Sequence, residues 1–230
     1  MIKKHIPNAI TCANLFSGCI GIVYAFNGQL EWAAYFVVLS GIFDFFDGFA
    51  ARLLHVKSAI GKELDSLADM VSFGFLPGVV LFQLLKQSDY PSEYLPYFGF
   101  LVTVFSALRL AKFNIDTRQT EDFIGLNTPM NTLFIVSLPF IQRDYPALIS
   151  STFLLIGLTA VLSALLVSEI RIFSLKFGSK GWKENKIKYL FLVISALLLV
   201  FLQFVAVPFI LVLYIGMSVA HFRQNPVQAD

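Results

Sequence analysis

Gly41-Ile42-Phe43-Asp44-Phe45-Phe46-Asp47-Gly48-Phe49-Ala50-Ala51-Arg52 closes one apolar run. Eight residues later Gly61-Lys62-Glu63-Leu64-Asp65-Ser66-Leu67-Ala68-Asp69 opens the next. Four aspartates therefore stand at or inside the ends of two consecutive apolar segments. Asp44 and Asp47 are spaced i, i+3, and Asp65 and Asp69 i, i+4, so on helices each pair projects from one face. Residues 53–60 leave room for a tight turn and frayed helix ends. The two helices then return antiparallel with their acidic faces opposed.

The rest of the chain sets this hairpin in a membrane. Of 230 residues 57% are hydrophobic and 14% charged, Phe alone accounts for 25, and the mean hydropathy is +0.74. Soluble domains carry roughly 45–50% apolar and about 25% charged residues. Intrinsic disorder is excluded by the aromatic and apolar content. A soluble enzyme with one core is excluded because too little polar surface is available to cover it. Two cysteines exclude a disulfide scaffold. Cys12 and Cys19 lie about 10.5 Å apart along one helix at ~1.5 Å per residue, beyond the roughly 7 Å reach of a disulfide. They are expected as small apolar fillers.

A spanning helix takes about 20 apolar residues. Eight runs suggest themselves, at 8–27, 31–54, 61–86, 94–113, 128–142, 146–170, 187–203 and 205–222; the fifth is short and closes on Pro139, and the last two are expected to separate near Gln203. The expected fold is all-α: a polytopic integral membrane bundle of about eight transmembrane helices, one domain over residues 1–230. No removable leader is expected, because the first run passes into the second without a small-residue cleavage site. Eight spans place Lys3, Lys4, Arg52, Lys57, Lys62, Arg109, Lys112, Arg118, Arg171, Lys176, Lys180, Lys183, Lys186, Lys188 and Arg223 on one side, leaving only Lys86 and Arg143 opposite. Basic loops stay cytoplasmic, so both termini are expected there. The stretch 176–188, with five Lys and Trp182, reads first as a positive-inside loop and second as a holder of anionic membrane lipids.

Four close carboxylates repel one another and resist desolvation unless countercharge is supplied. Arg52 supplies one positive charge. Two divalent cations would balance the remainder, and an all-oxygen ligand set suits Mg²⁺, Mn²⁺ or Ca²⁺. Such ions bind pyrophosphate-type substrates by bridging and neutralising phosphate oxygens. Gly48, Ala51 and Gly61 are small residues at fixed offsets from the acids, leaving a concave slot suited to a flat group such as a nucleotide base. An ion-coupled transporter would also carry intramembrane acids. Against it, no inverted repeat is visible, and the acids crowd one face of the membrane.

Asp44-x-x-Asp47-Gly48-x-x-Ala51-Arg52, eight residues, then Gly61-x-x-x-Asp65-x-x-x-Asp69 resembles the full signature of the CDP-alcohol phosphotransferases, at every position and spacing. The resemblance extends to Pro7-Asn8, Thr11, Asn14 and Ser17-Gly18 in the first run. It continues through Arg109-Leu110-Ala111-Lys112-Phe113-Asn114 and Gly125-Leu126-Asn127-Thr128-Pro129-Met130-Asn131, which resemble the phosphatidylserine synthase branch. It implies that Asp44, Asp47 and Asp65 ligate divalent metal, two ions of Mg²⁺ or Mn²⁺, holding the pyrophosphate of CDP-diacylglycerol. Asp69 would be the catalytic base and a further metal contact. Arg52 would meet phosphate; Gly48, Ala51 and Gly61 would wall the cytidine; Asn8 and Thr11 would approach the nucleotide. The implied reaction exchanges CMP for the hydroxyl of L-serine at the cytoplasmic membrane surface. A homodimer is implied as well, and nucleic acid is not an expected partner.

The signature itself does not choose the acceptor, and glycerol 3-phosphate or inositol are the alternatives. L-Serine brings a carboxylate and an ammonium, so its pocket should contain a fixed cation. Arg109 and Lys112, i and i+3 at the end of the fourth run, are the candidates, with Asn114 and Asn131 for the other polar groups.

Overall fold

The third apolar run is the axis against which the first, second, fourth, fifth and sixth pack. A computed structural model describes residues 5–56, 58–90, 92–118, 122–175 and 181–224. Lys3, Lys4, Lys57, Lys176 and Lys180 lie outside the described residues, as do the side chains of residues 182–184, and with them most of the basic 176–188 stretch. The helices are α1 (His5–Phe26), α2 (Leu30–Leu53), α3 (Ala59–Asp69), α4 (Leu76–Lys86), α5 (Leu101–Ile115), α6 (Thr128–Asp144), α7 (Pro146–Ile149), α8 (Thr152–Val167), α9 (Trp182–Leu202) and α10 (Ala206–Gln224). A π-helical stretch, Met70–Phe75, joins α3 to α4, and a 3₁₀ turn, Leu95–Phe100, leads into α5.

Five segments are long and apolar enough to cross a membrane: His5–Phe26, Leu30–Leu53, Ala59–Lys86, Leu95–Ile115 and Asn185–Arg223. The protein is a helical integral membrane protein. Two thirds of the Ala59–Lys86 window is buried, against a third or less for each of the other four. That asymmetry makes the third rod the centre and leaves the others facing lipid along much of their length. Lipid supplies no hydrophobic drive between helices, so close approach of small residues carries the packing. On α1 the buried line runs Ser17, Gly18, Gly21, Ala25. A Cβ on Gly18 would lie 2.3 Å from Ser72 Oγ, so no larger residue fits that crossing. At the far end of α1, Gln83 Nε2 donates to the carbonyls of Ala25 (3.0 Å) and Phe26 (2.8 Å), satisfying the helix terminus from within the bundle. Cys12 and Cys19 are free and exposed on the outer face of α1, so they fill no core.

The later segments depart from the sequence expectation. The run expected over 146–170 divides, because Pro146 starts α7 and Ser151 caps α8, its Oγ accepting the Leu154 N–H. α6 and α8 are 17 and 16 residues long, below the length of an upright span. α9 and α10 separate at Gln203, which adopts φ +50°, as the sequence implied for that position.

Loops at each end of the bundle hold one another. Phe123–Ile124 (β1) pairs antiparallel with Arg171–Ile172 (β2), Phe123 opposite Ile172. Gly125, at φ +78°, donates its N–H to the Ile170 carbonyl at 2.8 Å, and a Cβ there would meet the Leu166 carbonyl at 2.7 Å. At the other end, Asp89 accepts the Thr152 N–H at 3.0 Å. The Arg143 guanidinium lies 3.8 Å from the Glu31 carboxylate.

Candidate active site

α2 ends at Leu53, and His55, at φ +51°, reverses the chain. Ser58 then caps α3, its Oγ accepting the Gly61 N–H at 3.2 Å. This short connection returns α3 alongside α2 and turns their acidic faces toward each other. Ligand oxygens of Asp44, Asp47 and Asp65 all lie within 4.8 Å of one another. Asp69, one turn beyond Asp65, has its carboxyl beside that of Asp44.

α1 supplies the third wall. Asn8, Thr11 and Asn14 repeat every three residues and present one polar line to this cluster. The Asn8 side-chain oxygen lies 3.0 Å from the position a Gly61 Cβ would take, so glycine is what admits it. The Thr11 hydroxyl donates to Asp47 Oδ2 at 2.7 Å, with Thr11 and Asp47 both buried. Asn14, fully buried, donates from Nδ2 to Asp69 Oδ1 at 3.4 Å.

Beside the acids opens a cavity of about 530 Å³. Asn8, Thr11, Asp47, Gly48, Ala51 and Gly61 line it, together with Asp65, Ser58 and Lys62. Its volume falls within the range of small-molecule sites. Nothing larger than hydrogen projects from Gly48 and Gly61 on this wall, which keeps the backbone within reach of a flat ligand. A second cavity, apolar and about 310 Å³, lies between α2 and α6 against Gly41, Phe45 and Phe73, within one turn of Asp44.

Charge balance differs from the sequence expectation. Arg52 is exposed and, among the described residues, forms no ion pair with any of the four aspartates. Its Nη1 lies 3.5 Å from where a Gly48 Cβ would stand, at the cavity edge. The physical reason is its place in the last turn of α2, where a long side chain reaches outward. A buried cation, Arg109 on α5, is 7% exposed, with its guanidinium 4.9 Å above the Phe113 ring and within electrostatic range of Asp69.

The other residues expected around an acceptor divide. Lys112 pairs with Glu169, which also faces Arg118 at 3.7 Å. Asn114 donates to Ser66 Oγ at 2.8 Å, clasping α5 to α3. Both are occupied elsewhere. Among the described residues, Asn131 is fully buried with neither Nδ2 nor Oδ1 partnered, and the side-chain oxygens of Ser106, Thr128 and Asn14 are buried without partners too. Buried polar groups almost always find a partner, so Asn131 is free to meet a polar group. Sequence reasoning missed Lys62, Ser106 and the Asp69 contact of Asn14. Only the Asn8, Thr11, Asn14 spacing carried a signal, and it pointed to a face without naming what it meets.

The three carboxylates fit a divalent cation. They offer hard oxygen donors, gather within 4.8 Å of one another, and among the described residues form no ion pair with a protein cation. Fold and site together define the class: a helical integral membrane protein with a carboxylate triad at the edge of a cavity. The chain belongs to the CDP-alcohol phosphatidyltransferase family, whose model matches residues 4–222. It is 35% identical over 172 residues to a CDP-diacylglycerol–serine O-phosphatidyltransferase of Helicobacter pylori strain J99, covering 72% of this chain and 70% of the relative. It is 34% identical to the Bacillus subtilis strain 168 protein of the same name, covering 73% and 89%. Identity to an archaetidylserine synthase of Methanothermobacter thermautotrophicus is 29%, covering 72% and 68%. Membership of this enzyme family decides against the ion-coupled transporter.

Proposed function

We propose that the protein transfers the phosphatidyl group of CDP-diacylglycerol to L-serine, forming phosphatidylserine and releasing CMP. The observation that carries this reading is the carboxylate cluster of Asp44, Asp47 and Asp65 opening onto a cavity walled by Gly48, Ala51 and Gly61. Relatives whose names specify serine as acceptor support the choice of alcohol.

Asp44, Asp47 and Asp65 would hold divalent cations, two ions of Mg²⁺ or Mn²⁺, with Asp69 a further contact. When bound, they offset the charge of the pyrophosphate and of the departing CMP. Asn8 and Thr11 face the nucleotide in the cavity, and Arg52 meets phosphate at its edge. The apolar cavity between α2 and α6 takes an acyl chain. Arg109 receives the carboxylate of serine, and Asn131 its remaining polar groups. The serine oxygen attacks the phosphorus that bears diacylglycerol, and the bond from that phosphorus to the bridging oxygen breaks. CMP leaves with the electron pair, and the hydroxyl proton passes to Asp69.

The reaction takes place at the cytoplasmic face of the cell membrane, where serine and CMP exchange with water while the acyl chains stay in the bilayer. Eight crossing segments, with both termini cytoplasmic, give that orientation. The test is CMP release by purified protein in detergent, with L-serine, glycerol 3-phosphate and inositol offered separately. Release with serine alone, abolished by EDTA and restored by Mg²⁺ or Mn²⁺, is expected. Equal release with another acceptor overturns the choice of serine, and release indifferent to EDTA overturns the metal assignment.

A further inference from the structure

Asn14 sits at the one place where α1, α2 and the π-helical stretch meet. Its backbone carbonyl accepts two hydroxyls, Ser40 Oγ from α2 and Ser72 Oγ from the π-helical stretch, each at 3.2 Å. A helical carbonyl already engaged in its own helix seldom draws two further donors, so the position of this residue is fixed from both sides. Among the described residues its side chain meets one partner, Asp69 Oδ1. Asp69 is a carboxylate that can only accept, so the amide must present Nδ2 to it and turn its own oxygen away. That oxygen is buried and unpartnered. An asparagine retained merely to glue helices would use both ends of its amide.

We propose that Asn14 is the positioning residue for the base. By holding Asp69 Oδ1 it fixes the carboxylate plane and leaves the second oxygen, Oδ2, directed to the incoming hydroxyl. Thr11 treats Asp47 in the same way one turn earlier, so α1 acts as a ruler that sets the orientation of both carboxylates. This inference rests on the assignment of Asp69 as base made above.

The measurement is a double-mutant cycle in the purified full chain, with CDP-diacylglycerol affinity followed separately from turnover. Asn14→Ala should lower kcat about 10- to 100-fold, the scale of a misoriented catalytic group, with CDP-diacylglycerol affinity changed less than twofold. Asn14→Leu preserves bulk without the donor, inserts readily in lipid, and should behave alike if the alanine variant fails to accumulate. In the Asp69→Asn background, either Asn14 substitution should cost nothing further, because the group through which it acts is gone. Fully additive losses, or weakened affinity at unchanged kcat, overturn the proposal. If Asp69→Asn alone leaves turnover intact, the assignment of the base falls instead, so the two failures are distinguishable.

Discussion

Asp47 is the one member of the acidic cluster that is itself buried, and its carboxylate is fixed by the Thr11 hydroxyl. A carboxylate held this way inside a like-charged group is suited to a permanent ligand. Asp69 is not one of the 4.8 Å triad and, beside Asp44, also meets the Asn14 amide. The two should therefore fail differently. Asp47→Asn should weaken divalent-metal and CDP-diacylglycerol binding together. Asp69→Asn should leave that binding largely intact and slow turnover by roughly 10²–10⁴-fold. Paired titrations of affinity and maximal rate at saturating Mg²⁺ or Mn²⁺ check this, and equal loss of affinity in both variants would make Asp69 a ligand. Glu63, the other carboxyl in this stretch, is exposed and does not line the cavity.

Among the elements, the third rod shows how a helix is bent to a purpose. Pro77 has no N–H to give, and the stretch before it is π-helical. The Phe73 carbonyl accepts Thr132 Oγ1 at 2.6 Å and the Gly74 carbonyl accepts Thr103 Oγ1 at 3.0 Å, so α6 and α5 satisfy the loosened turn. The stretch begins directly after Asp69, and such insertions are common at functional sites. At the other end of the bundle, α8 depends on a residue from a distant loop. The Thr152 N–H and hydroxyl, donating to Asp89, hold that carboxyl below the usual carboxylate range. Its stabilising contribution is therefore present above the ordinary carboxylate pKa and is lost as pH falls through the lower folded value. Asp89→Ala should lower the thermal midpoint at neutral pH, and the gap to the parent protein should close on acidification. A gap that stays constant with pH would show that Asp89 acts through packing alone.

For the whole molecule, the loop contacts group the turns by end: Asp89 and Tyr90 meet Ser150 and Thr152, while 123–125 meets 170–172. In a background with Cys12 and Cys19 replaced by alanine, a cysteine at Tyr94 should label from outside the cell and one at Arg118 only from the cytoplasmic side. Both positions are well exposed. Labelling of both from one side would mean that the number of crossings between them is even.

Composition alone determined that this chain folds in a membrane, because 57% hydrophobic residues cannot be covered by 14% charged ones. The spacing of Asp44, Asp47, Asp65 and Asp69 likewise determined which helix faces are acidic, since helix periodicity is local and converts sequence offsets directly into faces. Tertiary structure decided which cation approaches the acids, placing Arg109 near Asp69 and leaving Arg52 exposed. It also decided that Lys112 and Asn114 are engaged by Glu169 and Ser66, and that Asn14 touches Asp69 across 55 residues of chain. Those outcomes depend on how helices distant in sequence cross and rotate. Crossing geometry is set by the fit of small residues such as Gly18 against Ser72, which no single helix encodes by itself.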